Sequence, residues 1–114
     1  MTQRDLRLYR EMLIDRREEI KSLQDISEQS RSAVELDQAS VGRVSRVDAL
    51  QAQQMALAVE RQRTKELHRI AGALSRIDDG TYGDCVVCGE DIAAKRLELD
   101  PSIPTCITCA RANA

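Results

Sequence analysis

Four cysteines are the residues whose types and spacing can do chemistry: Cys85, Cys88, Cys106 and Cys109, arranged as Cys-x2-Cys-x17-Cys-x2-Cys. Each Cys-x2-Cys pair bends the backbone so that both sulfurs face one point. Two such knuckles supply four thiolates in a tetrahedron, the closed all-cysteine geometry of zinc. Gly83 and Gly89 flank the first knuckle and can take the turn angles that wrap a metal. Four thiolates leave no open coordination position for activating a water, so the expectation is one Zn²⁺ with a purely structural role. Three alternatives stand beside this reading. Two disulfides need an oxidising compartment. A single thioredoxin-like pair leaves the second knuckle unexplained. An iron–sulfur cluster suits four cysteines, but the paired spacing favours zinc. A Zn²⁺ with four thiolates carries a formal charge of about −2. Lys95, Arg96 and Arg111 are candidates to offset it from nearby, the alternative being that they are ordinary exposed cations.

No other arrangement of side chains points to catalysis. His68 is the single histidine and follows Leu67 on a helical pattern, where an exposed helix residue is the expected role. There is no Ser/His/Asp or Cys/His set and no Gly-rich phosphate loop. The carboxylates lie on charged helices as solvated faces, so the chain reads as a non-enzyme. Direct binding to DNA is not expected either. Residues 79–114 hold the acids Asp79, Asp84, Glu90, Asp91, Glu98 and Asp100 against the bases Lys95, Arg96 and Arg111. Phosphate binding needs the reverse balance, and Tyr82 is the segment's one aromatic residue for stacking.

The elements that position the cysteines follow from composition. The 114 residues suit one domain, but without Phe or Trp, and with only Tyr9 and Tyr82, the core must be small. Charged residues reach 32% in mixed sign with a net charge of −2, a pattern of solvent-exposed helices. Residues 1–78 lack Pro and Cys, whereas both prolines and all four cysteines lie in 79–114. The chain therefore divides into a helical part, 1–78, and a metal-binding module, 79–114. A first helix is expected from Thr2 or Asp5 to Asp37, with Leu6, Tyr9, Leu13, Ile20 and Leu23 on a heptad seam that Arg16 interrupts. A second is expected from the low forties to Ile77. Leu67, Ile70, Leu74 and Ile77 form its regular seam, and Met55, Leu57 and Val59 a less regular one earlier.

Gly42 separates the two patterns, and Ser40 or Ser45 can cap the second helix, Ser45 with Asp48 resembling a capping box with Asp in place of Glu. A short turn there makes an antiparallel hairpin with its tip near residues 38–45. The alternative is one continuous helix that dimerises. Asp78, Asp79 and Gly80 end the second helix, leaving room for short turns, a small hairpin and a short last helix after Cys106. The fold class is thus mainly α: a long antiparallel helical hairpin, or coiled coil, followed by a small four-cysteine zinc-finger module. The opening MTQRDLRLYREML is charged where a secretion signal needs an apolar core, and no apolar run approaches a membrane span. These features set a cytoplasmic expectation with no membrane partner.

Thr81-Tyr82-Gly83, Cys85-x2-Cys88-Gly89-Glu90-x-Ile92, Arg96-Leu97, Pro101 and Cys106-x2-Cys109 resemble the signature of the DksA/TraR four-cysteine zinc-finger family. Leu36-Asp37-Gln38 and Val41-Gly42-Arg43-Val44-Ser45-Arg46-x-Asp48-Ala49-Leu50-Gln51 resemble its short bacterial branch. The likeness covers about residues 36–111, and the first helix matches in character alone. The resemblance implies a bacterial transcription regulator that binds RNA polymerase rather than DNA. It implies a hairpin inserted into the polymerase secondary channel, acidic tip residues acting near the active site, and guanosine tetraphosphate as a co-effector. The zinc module would brace the hairpin base.

The departure lies at the tip. The Asp-x-x-Asp-x-Ala motif of the best-known relatives, aligned without gaps from the cysteines, places its two acids on Gly42 and Ser45. Arg46 keeps the basic residue that follows. The nearest acids are Asp37 and Asp48, both candidates for the tip chemistry, with helix capping the alternative role for Asp48. Asp37, Arg43, Arg46 and Asp48 are therefore the candidate partner-binding residues, and no co-effector residues are carried over. Two other function classes stand beside this one: a zinc-stabilised coiled-coil adaptor that captures a protein on a helix face, and a DNA-binding zinc ribbon.

Overall fold

The structure is a computed structural model that describes residues 1–38 and 46–112, with residues 30–38 described as backbone helix only. Helix α1 spans Gln3–Gln38, α2 Arg46–Asp79, α3 Ala94–Leu99 and α4 Ile107–Ala112. No strand forms among the described residues; an isolated antiparallel bridge joins Asp84 to Asp91. The architecture is the expected helical hairpin followed by a compact cysteine-bearing segment. The expected turn falls on residues 39–45, outside the described residues, and so does the Ser45 cap.

Local chemistry explains where the helices start and stop. Thr2 Oγ1 accepts from the Asp5 backbone N–H at 3.1 Å, and Asp5 Oδ2 accepts from the Thr2 N–H at 3.2 Å. This reciprocal box satisfies donors that a helix start leaves orphaned. At the C-terminal end of α2, the N–H groups of Thr81 and Tyr82 both donate to the Arg76 carbonyl, at 3.0 and 3.1 Å. Gly80 takes φ +85 between them, the left-handed step that lets α2 end in a Schellman turn.

By packing, the chain forms two compact units: Met1–Arg17 with Glu66–Ala114, and Glu18–Lys65. In the first, the helix ends and the cysteine-bearing segment share one core. Leu13 and Ile70 are at most 1% exposed, and Tyr9, Ala73, Ile77, Tyr82, Ile92 and Leu97 are buried with them. The Tyr9 and Tyr82 rings meet at 5.5 Å with a 44° tilt, within the range of favourable aromatic pairs. Arg16, the break in the apolar seam, sends its Nε to Glu66 Oε2 at 2.6 Å and its Nη2 to Oε1 at 3.2 Å. Arg10 pairs likewise with Asp78 across the helices.

The second unit is held differently. Ile20 is fully buried, but the neighbouring interhelical contacts are polar. Arg63 donates to Ser27 Oγ and to Glu60 Oε1, each at 2.9 Å, and Gln24 reaches Glu60 at 3.4 Å. Met55, Leu57 and Val59 do not form the early seam of α2: they are 71%, 38% and 47% exposed. The half-buried positions are Ala49, Ala56, Glu60 and Arg63. These continue backward, at spacings of three, four and seven, the line that Leu67, Ile70, Leu74 and Ile77 begin. At about 100° per residue, positions two apart point away from one another, so Met55, Leu57 and Val59 cannot share a face.

Candidate metal centre

The first knuckle grows from the end of α2. Gly83 and Gly89 adopt φ +97 and +78, a left-handed backbone that a side chain would strain. They turn the chain into and out of Cys85-Val86-Val87-Cys88. The Cys85 N–H donates to the Glu90 carbonyl at 2.7 Å, and the Gly89 N–H to the Cys85 carbonyl at 2.9 Å, closing the loop on itself. The second knuckle leads into α4, whose first full turn places the Ala110 N–H 3.0 Å from the Cys106 carbonyl. The final helix after Cys106 is as expected. Helix α3, which the sequence reading did not anticipate, packs the connector through Leu97, 1% exposed.

All four sulfurs, of Cys85, Cys88, Cys106 and Cys109, lie within 4.8 Å of one another. Cys88 and Cys106 Sγ are 3.7 Å apart. A tetrahedron of thiolates around zinc, with Zn–S of about 2.3 Å, has edges of about 3.8 Å. The cluster therefore fits this ion in both ligand chemistry and size, with four soft donors and no open position.

In the metal-free cluster the thiols do not ionise alike. Cys85 is lowered to about 6, chiefly by the backbone N–H of Cys88 and then that of Cys106. At Cys88 the Glu90 N–H pulls down, but lost hydration and the neighbouring Cys85 and Cys106 thiols outweigh it, and the net shift is upward. Cys109 is raised to about 12, first by its hydrogen bonds with Cys106 and Cys88. Adjacent thiols share protons because adjacent thiolates repel, and a divalent cation removes that repulsion.

The cations expected near the sulfurs divide. Lys95 and Arg111 are exposed. Arg96 is half-buried, and its Nε donates to the Thr105 carbonyl at 3.1 Å, beside Cys106. Three further tethers fix the connector. Tyr82 Oη donates to the Pro101 carbonyl at 2.8 Å, and burial pushes the phenol upward. Ser102, 2% exposed, donates from both N and Oγ to Asp100 Oδ1, at 3.0 and 2.7 Å. Arg69 on α2 stands 3.5 Å from Ser102 Oγ and 4.0 Å from Asp100.

In the unit Glu18–Lys65, Arg46 and Asp48 open α2 and are exposed. Asp37 lies in the last turn of α1 by its backbone, and Arg43 falls outside the described residues. His68 is exposed on α2. No described helix is long and apolar enough to cross a membrane.

Residues 80–113 match the family model of the prokaryotic dksA/traR C4-type zinc finger. Over 45 residues the chain is 38% identical to the RNA polymerase-binding transcription factor DksA of Haemophilus influenzae, a match covering 40% of this chain and 31% of that protein. The chain thus aligns with about a third of the length of that relative. The fold is that of the transcription factor DksA2 from Pseudomonas aeruginosa, at a TM-score of 0.74 and 24% identity, across 97% of this chain and 84% of that structure. Residues 80–113, which carry the clustered thiols, are thus similar to the prokaryotic dksA/traR C4-type zinc finger.

Proposed function

We propose that this protein regulates transcription by binding RNA polymerase through its secondary channel, with the hairpin tip acting near the active site. The observation that carries the reading is a pair of helices of 36 and 34 residues, the second opening on exposed Arg46 and Asp48, in a chain that also carries a four-cysteine zinc-finger module. The kinship with an RNA polymerase-binding factor supports the choice of partner. On this reading residues 1–78 are the hairpin, with its tip near 38–45, and residues 79–114 the module. One Zn²⁺, held by Cys85, Cys88, Cys106 and Cys109, has a structural role. The surroundings of the zinc are too acidic for phosphate, so polymerase rather than DNA is the target, and the protein is cytoplasmic and not an enzyme. Guanosine tetraphosphate is the co-effector to test alongside.

Capture of core polymerase by the tagged chain tests the reading, followed by transcription with Asp37→Ala, Arg43→Ala, Arg46→Ala and Asp48→Ala. Failure to bind core enzyme sinks it. Binding with no effect of any tip substitution removes the tip mechanism and leaves the partner. A second reading, an adaptor that holds a protein on a helix face, is favoured by one observation. Val47, Leu50 and Met55 are 65%, 59% and 71% exposed and line a shallow groove on α2 with Gln51 and Gln54. It expects Leu50→Asp and Met55→Asp to abolish partner capture while the tip variants retain it.

A further inference from the structure

The connector between the knuckles holds the second one in place through two consecutive carbonyls. The Pro104 carbonyl accepts from the Val86 N–H of the first knuckle at 3.0 Å, and the Thr105 carbonyl accepts from Arg96 Nε at 3.1 Å. The Thr105 carbonyl and the Cys106 N–H belong to one rigid peptide plane. One peptide thus carries the guanidinium bond on its carbonyl side and leads directly into Cys106, the first ligand of the second knuckle.

Arg96 is itself fixed for this task. Its N–H donates to the Ala93 carbonyl at 3.0 Å, its carbonyl accepts from the Asp100 N–H at 3.1 Å, and its neighbour Leu97 is 1% exposed. A planar guanidinium on so short and anchored a helix loses little freedom when it makes the bond. Lys95, one residue away and exposed, has the same charge and no such bond among the described contacts.

We infer that Arg96 is a positioning residue for the metal: it sets the Thr105–Cys106 peptide, and with it the placement of the Cys106 sulfur. The inference rests on the four cysteines holding zinc, as proposed above. It distinguishes positioning from charge, because a pure charge role would be shared by Lys95.

The test compares the full-length chain with Arg96→Met, Arg96→Lys and Lys95→Met. Zinc affinity is read by competition with a chromophoric chelator, and the thiolate-to-metal and d–d bands are read after Co²⁺ substitution. Arg96→Met is expected to weaken zinc about 10- to 100-fold, as losing a partner of a ligand does elsewhere, and to displace the Co²⁺ bands. Arg96→Lys, which restores a charged donor without the planar fork, is expected between Arg96→Met and the unaltered chain. Lys95→Met is expected to stay within about twofold, as an exposed cation should. Unaltered affinity and bands in Arg96→Met overturn the inference, and so does an equal loss in Lys95→Met. Should Arg96→Met not fold, the Lys variants decide: affinity in Arg96→Lys must fall below that in Lys95→Met. An unaltered chain that binds no zinc refutes the zinc reading instead, so the two failures are distinct.

Discussion

Proton release on metal binding is the most direct reading of the four thiols. Zinc takes thiolates, not thiols. In the metal-free cluster at pH 7, Cys88 and Cys109, both raised from the ordinary value of 9.0, carry their protons, whereas Cys85, lowered to about 6, is mostly ionised. Binding must therefore displace at least the protons of Cys88 and Cys109. The free chain holds more protons than the loaded one, so apparent zinc affinity rises with pH and falls as acid is added. Each displaced proton contributes a factor of about ten per pH unit, so two give about 100-fold between pH 7 and 8. Below a pH of about 6 Cys85 also takes up a proton, and the slope steepens by about one more. Chelator competition across this range gives the slope. Calorimetry at one pH in buffers of different ionisation enthalpy counts the protons independently. A slope below one, or a binding enthalpy indifferent to the buffer, would refute the shared-proton picture of the cluster.

Other consequences are open to measurement on the zinc-loaded chain. Ile70→Ala empties a fully buried position and should cost about 2–5 kcal/mol in denaturant unfolding, whereas Met55→Ala, 71% exposed, should stay within about 0.5 kcal/mol; equal effects would contradict the seam as placed. Tyr82→Phe keeps the ring against Tyr9 but leaves the Pro101 carbonyl without its donor, for an expected loss of about 1–2 kcal/mol. A Tyr82→Phe chain as stable as the parent would mean that water replaces the hydroxyl at no cost. Amide hydrogen exchange should be slower in residues 66–79 of α2, which include buried Ile70, Ala73 and Ile77, than in residues 46–65, which include none. Uniform protection along α2 would be inconsistent with a polar arm.

Much of the fold was legible because α1 keeps a strict heptad. Tyr9, Leu13 and Ile20 are buried as their spacing requires, and the Arg16 interruption is resolved by a cross-helix carboxylate. The cysteine cluster was legible for a simpler reason: two-residue spacing within each pair fixes the knuckle whatever lies between the pairs. The Gly80 cap was legible from its position after Asp79. Helix α3 was not, because six residues with a single buried leucine carry no period, and the Ala93 side chain offers no cap. The Arg96–Thr105, Tyr82–Pro101 and Arg69–Ser102 contacts join residues that only the completed fold brings close, whereas Asp100 and Ser102 form a local turn that their two-residue spacing allows.

The misplaced early seam of α2 carries the larger lesson about function. Met55, Leu57 and Val59 are the large apolar residues of that stretch, yet the helix turns Ala56, Glu60 and Arg63 inward instead. A core-facing position filled by alanine or by a hydrogen-bonded pair contributes register more than burial. Arg63, with Ser27 and Glu60 as partners at 2.9 Å, fixes which residues meet while adding little apolar area. The exchange also leaves Val47, Leu50 and Met55 on the outside of the helix, where nothing within the described chain covers them. An arm that needed only to stand on its own would do better with those side chains inside. Polar contacts inside and apolar ones outside suit an element whose packing is completed by another protein, a feature that the polymerase and adaptor readings share. They part at the residues that matter most: Arg46 and Asp48 for one, Leu50 and Met55 for the other.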